Sequence, residues 1–451
     1  MKTIQLLVTA AVAFALAVVD IFAEPDSSDK ARGAAAADLA KDTSLADSPG
    51  GLDVHVLPYA YYSNLLKYTL GGFVGVKGLV SENTLIKVGG VISSNHTLLG
   101  YLQVEDFQLP FWKRIFVKPD LLGGKIGTVK NYSEQLGTST FGTNAGQNGS
   151  SEDNYFEADG QYRWYEATVR YLLPIGWGAS NVVAHPKLRD GILVSGETGG
   201  YSLNPLASGR TFIGTKVFYK NLKMTKGATE VESVGAGWEF FLNFENLDYY
   251  WNPSAGYNLK LSYITGSEML SNSTPFDIWK GDLAWFVPLS GRTTVLALDA
   301  TTVYTPSWGD YDLASMSMPG KGTIQYKKYH RPQNFVGAAL GGQARLRGYD
   351  EYRFFDCASV YYCAELRQIL PWNPFDACWL TRKVGVDWIQ ASAFAELGRV
   401  APAWQLKELH SDMKWDVGAG IRLFMNGIIL RIDAATGREG TRLQMFYNYS
   451  F

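Results

Sequence analysis

The stretch Leu346-Arg347-Gly348-Tyr349 follows a double glycine and precedes Asp350 and Glu351. An arginine in that setting has one evident chemistry: its rigid guanidinium fork can bridge two carboxylates. Taken out of bulk water it needs such acids, and breaking a buried pair costs roughly 3–5 kcal/mol. Acids of suitable placement follow. Glu365 lies in SVYYCAELRQIL beside Arg367, and Glu396 lies in ASAFAELGRV. Arg422 in DVGAGIRLFM, with Arg431 and Asp433 in the next segment, adds charge to the same region. The residues alone leave two readings open. Either Arg347 is held by Glu365 and Glu396, or the segment is a solvated loop whose arginines hold nothing.

Catalytic chemistry has little to build on. The histidines His55, His96, His185, His330 and His410 are too scattered for HExxH, and GGKIG lacks the spacing of a phosphate loop. Carboxylates such as Glu365 and Glu396 can do acid–base work, but a structural ion pair is the simpler role. No enzyme, cofactor or metal is expected. Of the three cysteines, Cys357, Cys363 and Cys378, none forms a CxxC pair, and Cys357 and Cys363 could join in an oxidising compartment.

The elements that must position these charges are strands. In RWYEATVRYLLP, Tyr165, Ala167, Val169, Tyr171 and Leu173 share one face and Glu166, Thr168 and Arg170 the other. In IILRIDAATG, Ile428, Leu430 and Ile432 oppose Arg431 and Asp433. In LQMFYNYSF, Leu443, Met445, Tyr447, Tyr449 and Phe451 share a face, and Tyr449 and Phe451 close the last strand. Period two means strands. Aromatics at 14%, 26 Tyr, 13 Trp and only 19% charged residues suit a membrane β-barrel, whose strands put alternate residues in lipid. Mean hydropathy of −0.08 argues against a helical membrane protein. A net charge of −2 gives no reason to invoke nucleic acid.

Residues 1–23 read as a secretory signal, with Lys2 ahead of the apolar run LLVTAAVAFALAVV. Residues 24–51 are polar, Ala-rich and read as a flexible linker. Residues 52–451 keep one character and divide into about sixteen alternating segments, so the fold class is an all-β transmembrane antiparallel barrel. Within it Gly127 to Gly160 reads as one long outer loop, and Asn243 to Tyr257 as a tight turn. Ile175 to Arg210 sits where a short turn belongs and has no sequence-level account. A connection of about Pro306 to Asp356 is long enough to be functional, and it carries Arg347.

Leu346-Arg347-Gly348-Tyr349 resembles the Arg-Gly-aromatic motif of the BamA/TamA family, also called the bacterial surface antigen family. FENLDYYWNPSAGY, AELRQILP, FAELG (Phe394 to Gly398), DVGAGIRLF and ILRIDAATG follow in the family's order. The match covers roughly Ser233 to Phe451. The resemblance implies a sixteen-stranded barrel whose sixth outer loop enters the lumen and sets Arg347 against Glu365 and Glu396. Glu396 stands where the family pattern has Asp. The family usually carries POTRA domains ahead of the barrel, so a barrel-only branch is expected here.

The resemblance further implies an outer-membrane location in a Gram-negative bacterium, with lipid including lipopolysaccharide around the wall. It implies insertion of outer-membrane proteins or polypeptide translocation, with client proteins or periplasmic factors as partners. A seam between HVLPYAYYS and TRLQMFYNYSF would receive a client strand by β-augmentation. A passive or self-plugged pore and a structural anchor for a partner are the alternatives.

Overall fold

The computed structural model describes residues 53–78, 84–133, 144–268, 274–318, 322–377, 385–425 and 428–447. The signal, the linker, Cys378 and the closing Tyr449 and Phe451 lie outside the described residues.

Sixteen antiparallel strands run in sequence order around one wall. They are β1 (Asp53–Ser63), β2 (Lys67–Lys77), β3 (Leu85–Ser93), β4 (Leu98–Glu105), β5 (Ile115–Asn131), β6 (Phe156–Leu172), β7 (Arg210–Lys226) and β8 (Thr229–Leu247). There follow β9 (Gly256–Gly266), β10 (Asp277–Ser290), β11 (Thr294–Tyr304), β12 (Ala358–Ile369), β13 (Trp388–Ala401), β14 (Lys414–Met425), β15 (Ile428–Gly437) and β16 (Gly440–Tyr447). Asp106 interrupts β4, which resumes as Phe107–Gln108 against the same neighbour β5. Each strand forms a full ladder with the next, from β1–β2 to β15–β16. An even count puts the start of β1 and the end of β16 at one mouth, here called the near mouth.

Alternation sets the two faces. On β10, Trp279 and Trp285 point out and are 57% and 42% exposed, while Ile278 and Phe286 are buried inside. On β14, Trp415, Val417 and Ile421 point out and Asp416 and Arg422 point in. An apolar outer face against a charged inner one is the pattern of a wall between lipid and a polar lumen.

Three local expectations change. The outer loop after β5 spans 132–155, because Gly127–Asn131 and Phe156–Gly160 are strand. These strands have 17 residues each, more than the roughly 10 that a tilted membrane crossing takes. The turn between β8 and β9 is the eight residues 248–255, stapled by Asp248. Its carboxylate accepts the backbone N–H groups of Tyr249, Ser254 and Ala255 at 2.9–3.1 Å. Cys357 and Cys363 are both free and buried. The Cys357 thiol meets the Thr305 carbonyl at 3.4 Å, and Cys363 faces Arg347.

Candidate functional site: a loop clamped in the lumen

The connection 305–357 first builds a two-stranded hairpin, Tyr311–Met318 with Gly322–Tyr329, and then enters the barrel. Ala338–Leu340 pairs with Phe354–Asp356, which closes residues 341–353 into a compact tip. Gly341 and Gly342 take φ of +106° and +105°, which only glycine adopts freely. Leu346 is also left-handed, at φ +53°. A leucine there is strained by about 1 kcal/mol or more. It is held because its side chain is fully buried with Leu340, Tyr349 and Phe354 against Tyr361, Phe394 and Val400 of the wall.

That geometry delivers Arg347, 0% exposed, onto the inner faces of β12, β13 and β15. Its Nη1 donates to Glu365 Oε2 at 3.1 Å and to Asp433 Oδ2 at 2.8 Å. Its Nε donates to Glu396 Oε1 at 2.9 Å, and its backbone N–H to Glu396 Oε2 at 2.7 Å. The guanidinium carbon lies 3.3 Å from the centre of the Phe394 ring. Nη2 meets Cys363 Sγ at 3.6 Å. Burial alone would lower the arginine's pKa, but Glu396, Glu365 and Asp433 outweigh it and raise it well above the ordinary value.

The surrounding charges complete the site. Glu365 Oε1 accepts from Arg367 Nε at 2.6 Å and Arg422 Nη2 at 2.7 Å. Arg431 Nε meets Asp433 Oδ2 at 3.2 Å, and its Nη2 donates to the loop carbonyl of Gln343 at 2.7 Å. Asp416, opposite Glu396 in the β13–β14 register, accepts the Gly348 N–H at 2.8 Å. Arg347, Arg367, Arg422 and Arg431 thus lie among Glu365, Glu396, Asp416 and Asp433. The loop also grips the last strand. Gln444 Nε2 donates to the Arg347 carbonyl at 3.0 Å, and Arg442 Nε to Asp350 Oδ1 at 2.8 Å. Tyr349 packs its ring on Gly437 and donates its hydroxyl to the Trp415 carbonyl at 3.1 Å.

Gly348 matters for the space it leaves against the wall. Its φ is not left-handed, so no turn requires it. A Cβ there would lie 2.8 Å from Asp416 Cβ and 2.9 Å from the Gly437 nitrogen. Both neighbours belong to the wall and cannot swing away. Gly348→Ala is therefore expected to destabilise the seated loop by about 1–3 kcal/mol. The check is the temperature at which the purified barrel loses its compact gel mobility; an unchanged midpoint would contradict the packing.

The other half of the lumen carries charges that the sequence reading did not assign. Lys118 bridges Glu105 at 3.1 Å, Lys220 meets Glu166 at 2.9 Å, and Lys216 and Lys260 meet Glu239 at 2.8 and 2.5 Å. Asp282 joins Lys280 to Arg345 of the loop, both at 2.8 Å. Lysine, a hydrated point charge, serves this half, where these ammonium side chains keep partial exposure. Arginine supplies the cations where the loop packs, and Arg170 and Arg210 add pairs with Asp106 and Glu245 in the lysine half.

Both mouths are crossed by chain. At the far mouth, Arg353 donates to the Ser150 carbonyl at 2.7 Å and the Phe355 N–H to the Gly146 carbonyl at 2.7 Å, so the β5–β6 loop lies over the clamped loop. At the near mouth, the connection between β6 and β7 sends a hairpin, Lys187–Arg189 with Ile192–Ser195, across the lumen. Its tip carbonyl, at Gly191, accepts from Trp388 Nε1 at 3.2 Å on β13. Ile192 packs on the inward Ile369, Trp388, Phe424 and Ile429. Arg292, in the β10–β11 turn, donates to the Leu193 carbonyl and to Glu197, both at 2.5 Å. The stretch with no sequence-level account is thus a strap spanning the barrel from β6–β7 to the wall opposite.

One junction differs from the rest. Among the described residues no ladder joins β1 to β16. The backbone N–H of Asn64 reaches the Leu443 carbonyl at 3.4 Å, and the Leu443 N–H reaches Asn64 Oδ1 at 3.0 Å.

No protein-family model and no curated protein sequence matches the chain. Solved structures do. BamA from Haemophilus ducreyi lacking POTRA domains 1–3 is 10% identical, with 88% of this chain and 70% of that chain covered and a TM-score of 0.46. CdiB from Escherichia coli is 11% identical, with 88% of this chain covered and a TM-score of 0.52. This chain spans 61% of that CdiB chain. The protein is a sixteen-stranded β-barrel, and the likeness to CdiB shows a fold held in common.

Proposed function

We propose that the protein is an outer-membrane barrel that assists insertion or translocation of polypeptides across its β1–β16 seam. The observation that carries this is the seam itself. Fifteen strand junctions are full ladders, whereas among the described residues no ladder joins β1 to β16, and Asn64, just past β1, exchanges hydrogen bonds with Leu443. An unpaired strand edge is a template for another extended chain. The clamp supports the same reading. Arg347 and its neighbours tie β12, β13 and β15 into one block with the loop, and Gln444 and Arg442 bring β16 into it. β1 can then part from β16 without the block coming apart. The role is non-catalytic, the location is the outer membrane of a Gram-negative bacterium, and the partners are client polypeptides and lipid that includes lipopolysaccharide.

A disulfide between Asn64→Cys and Leu443→Cys tests this. In a background with Cys378→Ser, the stapled barrel is expected to assemble normally and to lose client insertion, with activity restored by reductant. Stapled protein that inserts clients as fast as the reduced form would sink the proposal.

A further inference from the structure

Residues 199–208 of the β6–β7 connection lie outside the wall. On β8 the outward positions include Trp238 and Phe240, 44% and 49% exposed, and the same parity leads to Asn246. A lipid-facing asparagine would be costly, yet Asn246 is only 1% exposed. Its side chain is used up holding the segment. Oδ1 accepts from the Gly200 N–H at 2.9 Å and the Ser208 hydroxyl at 2.7 Å, and Nδ2 donates to the Ser202 carbonyl at 2.5 Å. Tyr257, opposite Asn246 in the β8–β9 register, donates its hydroxyl to the Leu203 carbonyl at 2.9 Å.

So tethered, the segment turns Tyr201, Leu203 and Leu206 away from the barrel, 61%, 65% and 67% exposed. No charged residue occurs between Glu197 and Arg210. The turn is stiff, because Asn204 accepts the backbone N–H groups of Leu206, Ala207 and Ser208 at 3.0 Å. Its level is marked by aromatic pairs on the outer wall. Tyr257 lies opposite Trp285, and Tyr263 opposite Trp279. Six residues separate the pairs along a strand, about 20 Å at the usual rise. They bracket an apolar band of the kind that girdles bound in membrane barrels. The segment sits at the near-mouth edge of that band.

We propose that residues 199–208 are a lipid-binding rim anchor, seated at the headgroup–acyl boundary of the near-mouth leaflet, with Tyr201, Leu203 and Leu206 among the acyl chains. The chemistry is that of interfacial anchoring: an amphipathic aromatic and two aliphatic side chains on an uncharged, internally bonded turn. Continuity with the lipid-facing wall favours lipid over a polypeptide as occupant. The inference rests on the reading that the barrel lies in a bilayer.

The test places a nitrobenzoxadiazole label on Leu203→Cys in the full chain carrying Cys378→Ser, reconstituted in phosphatidylcholine–phosphatidylglycerol vesicles. Controls carry the label at Leu261→Cys on the outer wall and at Tyr326→Cys on the exposed far-mouth hairpin. The label at 203 is expected to be quenched by shallow nitroxide phospholipid as strongly as that at 261, and to resist aqueous iodide. Iodide quenching at 203 equal to that at 326, with 261 still quenched by lipid, overturns the anchor. Shielding at 203 that appears only on adding unfolded outer-membrane polypeptide also overturns it, in favour of a polypeptide surface. A label at 261 that lipid does not quench overturns the bilayer reading beneath it.

Discussion

Arg347→Ala is expected to cost the seated loop about 3–5 kcal/mol, because it leaves the buried Glu396 without its guanidinium partner. Glu365 keeps Arg367 and Arg422, and Asp433 keeps Arg431, so the loss falls mainly on Glu396. Arg347→Lys keeps the charge, but a single ammonium cannot reproduce the fork between Glu396 and the Glu365–Asp433 side, so an intermediate loss is expected. The wall ladders do not run through the loop, so strand content should hold while the unfolding midpoint falls and proteases cut within 331–356. Wild-type protease resistance in Arg347→Ala would show that the apolar contacts of Leu346, Tyr349 and Phe354 suffice without the ion cluster.

The second large effect concerns conduction. A sixteen-stranded barrel is wide enough for an aqueous channel when nothing fills it. Here obstruction lies in series: the Arg347 loop with the β5–β6 loop at the far mouth, and the 187–195 hairpin at the near mouth. Freeing one end should therefore change little. In planar bilayers, Arg347→Ala alone and replacement of residues 186–196 by a short Gly-Ser link alone are each expected to stay near the wild-type level. The combined variant should conduct more than the two single variants added together. A full-size channel from Arg347→Ala alone would show that the strap does not obstruct, and would favour a pore plugged by one loop.

Much of this was legible because strand parity is rigid. The period of two in SVYYCAELRQIL and ASAFAELGRV places Glu365 and Glu396 on the lumen side, and the structure puts them there beside Arg347. The same parity in DVGAGIRLF turns Asp416 inward along with Arg422, so its pairing with the Gly348 N–H was within reach of the sequence. The Lys216–Glu239 and Lys260–Glu239 pairs were similarly accessible, but no motif singled those strands out. Gly348 shows the limit of local reasoning. Its need for a missing side chain comes from Gly437 and Asp416, which only the closed barrel brings near. The strap is the same lesson at larger scale. Its hairpin tip, Asp190-Gly191, is readable as a turn, but its target Trp388 lies on the opposite wall, a relation set by closure and not by sequence distance.

A guanidinium seats the loop in the lumen, and a native thiol reports on it. Cys363 is buried beneath Arg347, whose Nη2 lies 3.6 Å from its sulfur. In a background with Cys357 and Cys378 changed to serine, its reaction with a small membrane-impermeant methanethiosulfonate should be slow in the otherwise wild-type barrel. Arg347→Ala should speed it by roughly a hundredfold or more, the population change that a loss of about 3 kcal/mol gives to the unseated loop. Equal rates in the two proteins, whether both fast or both slow, would contradict the clamp.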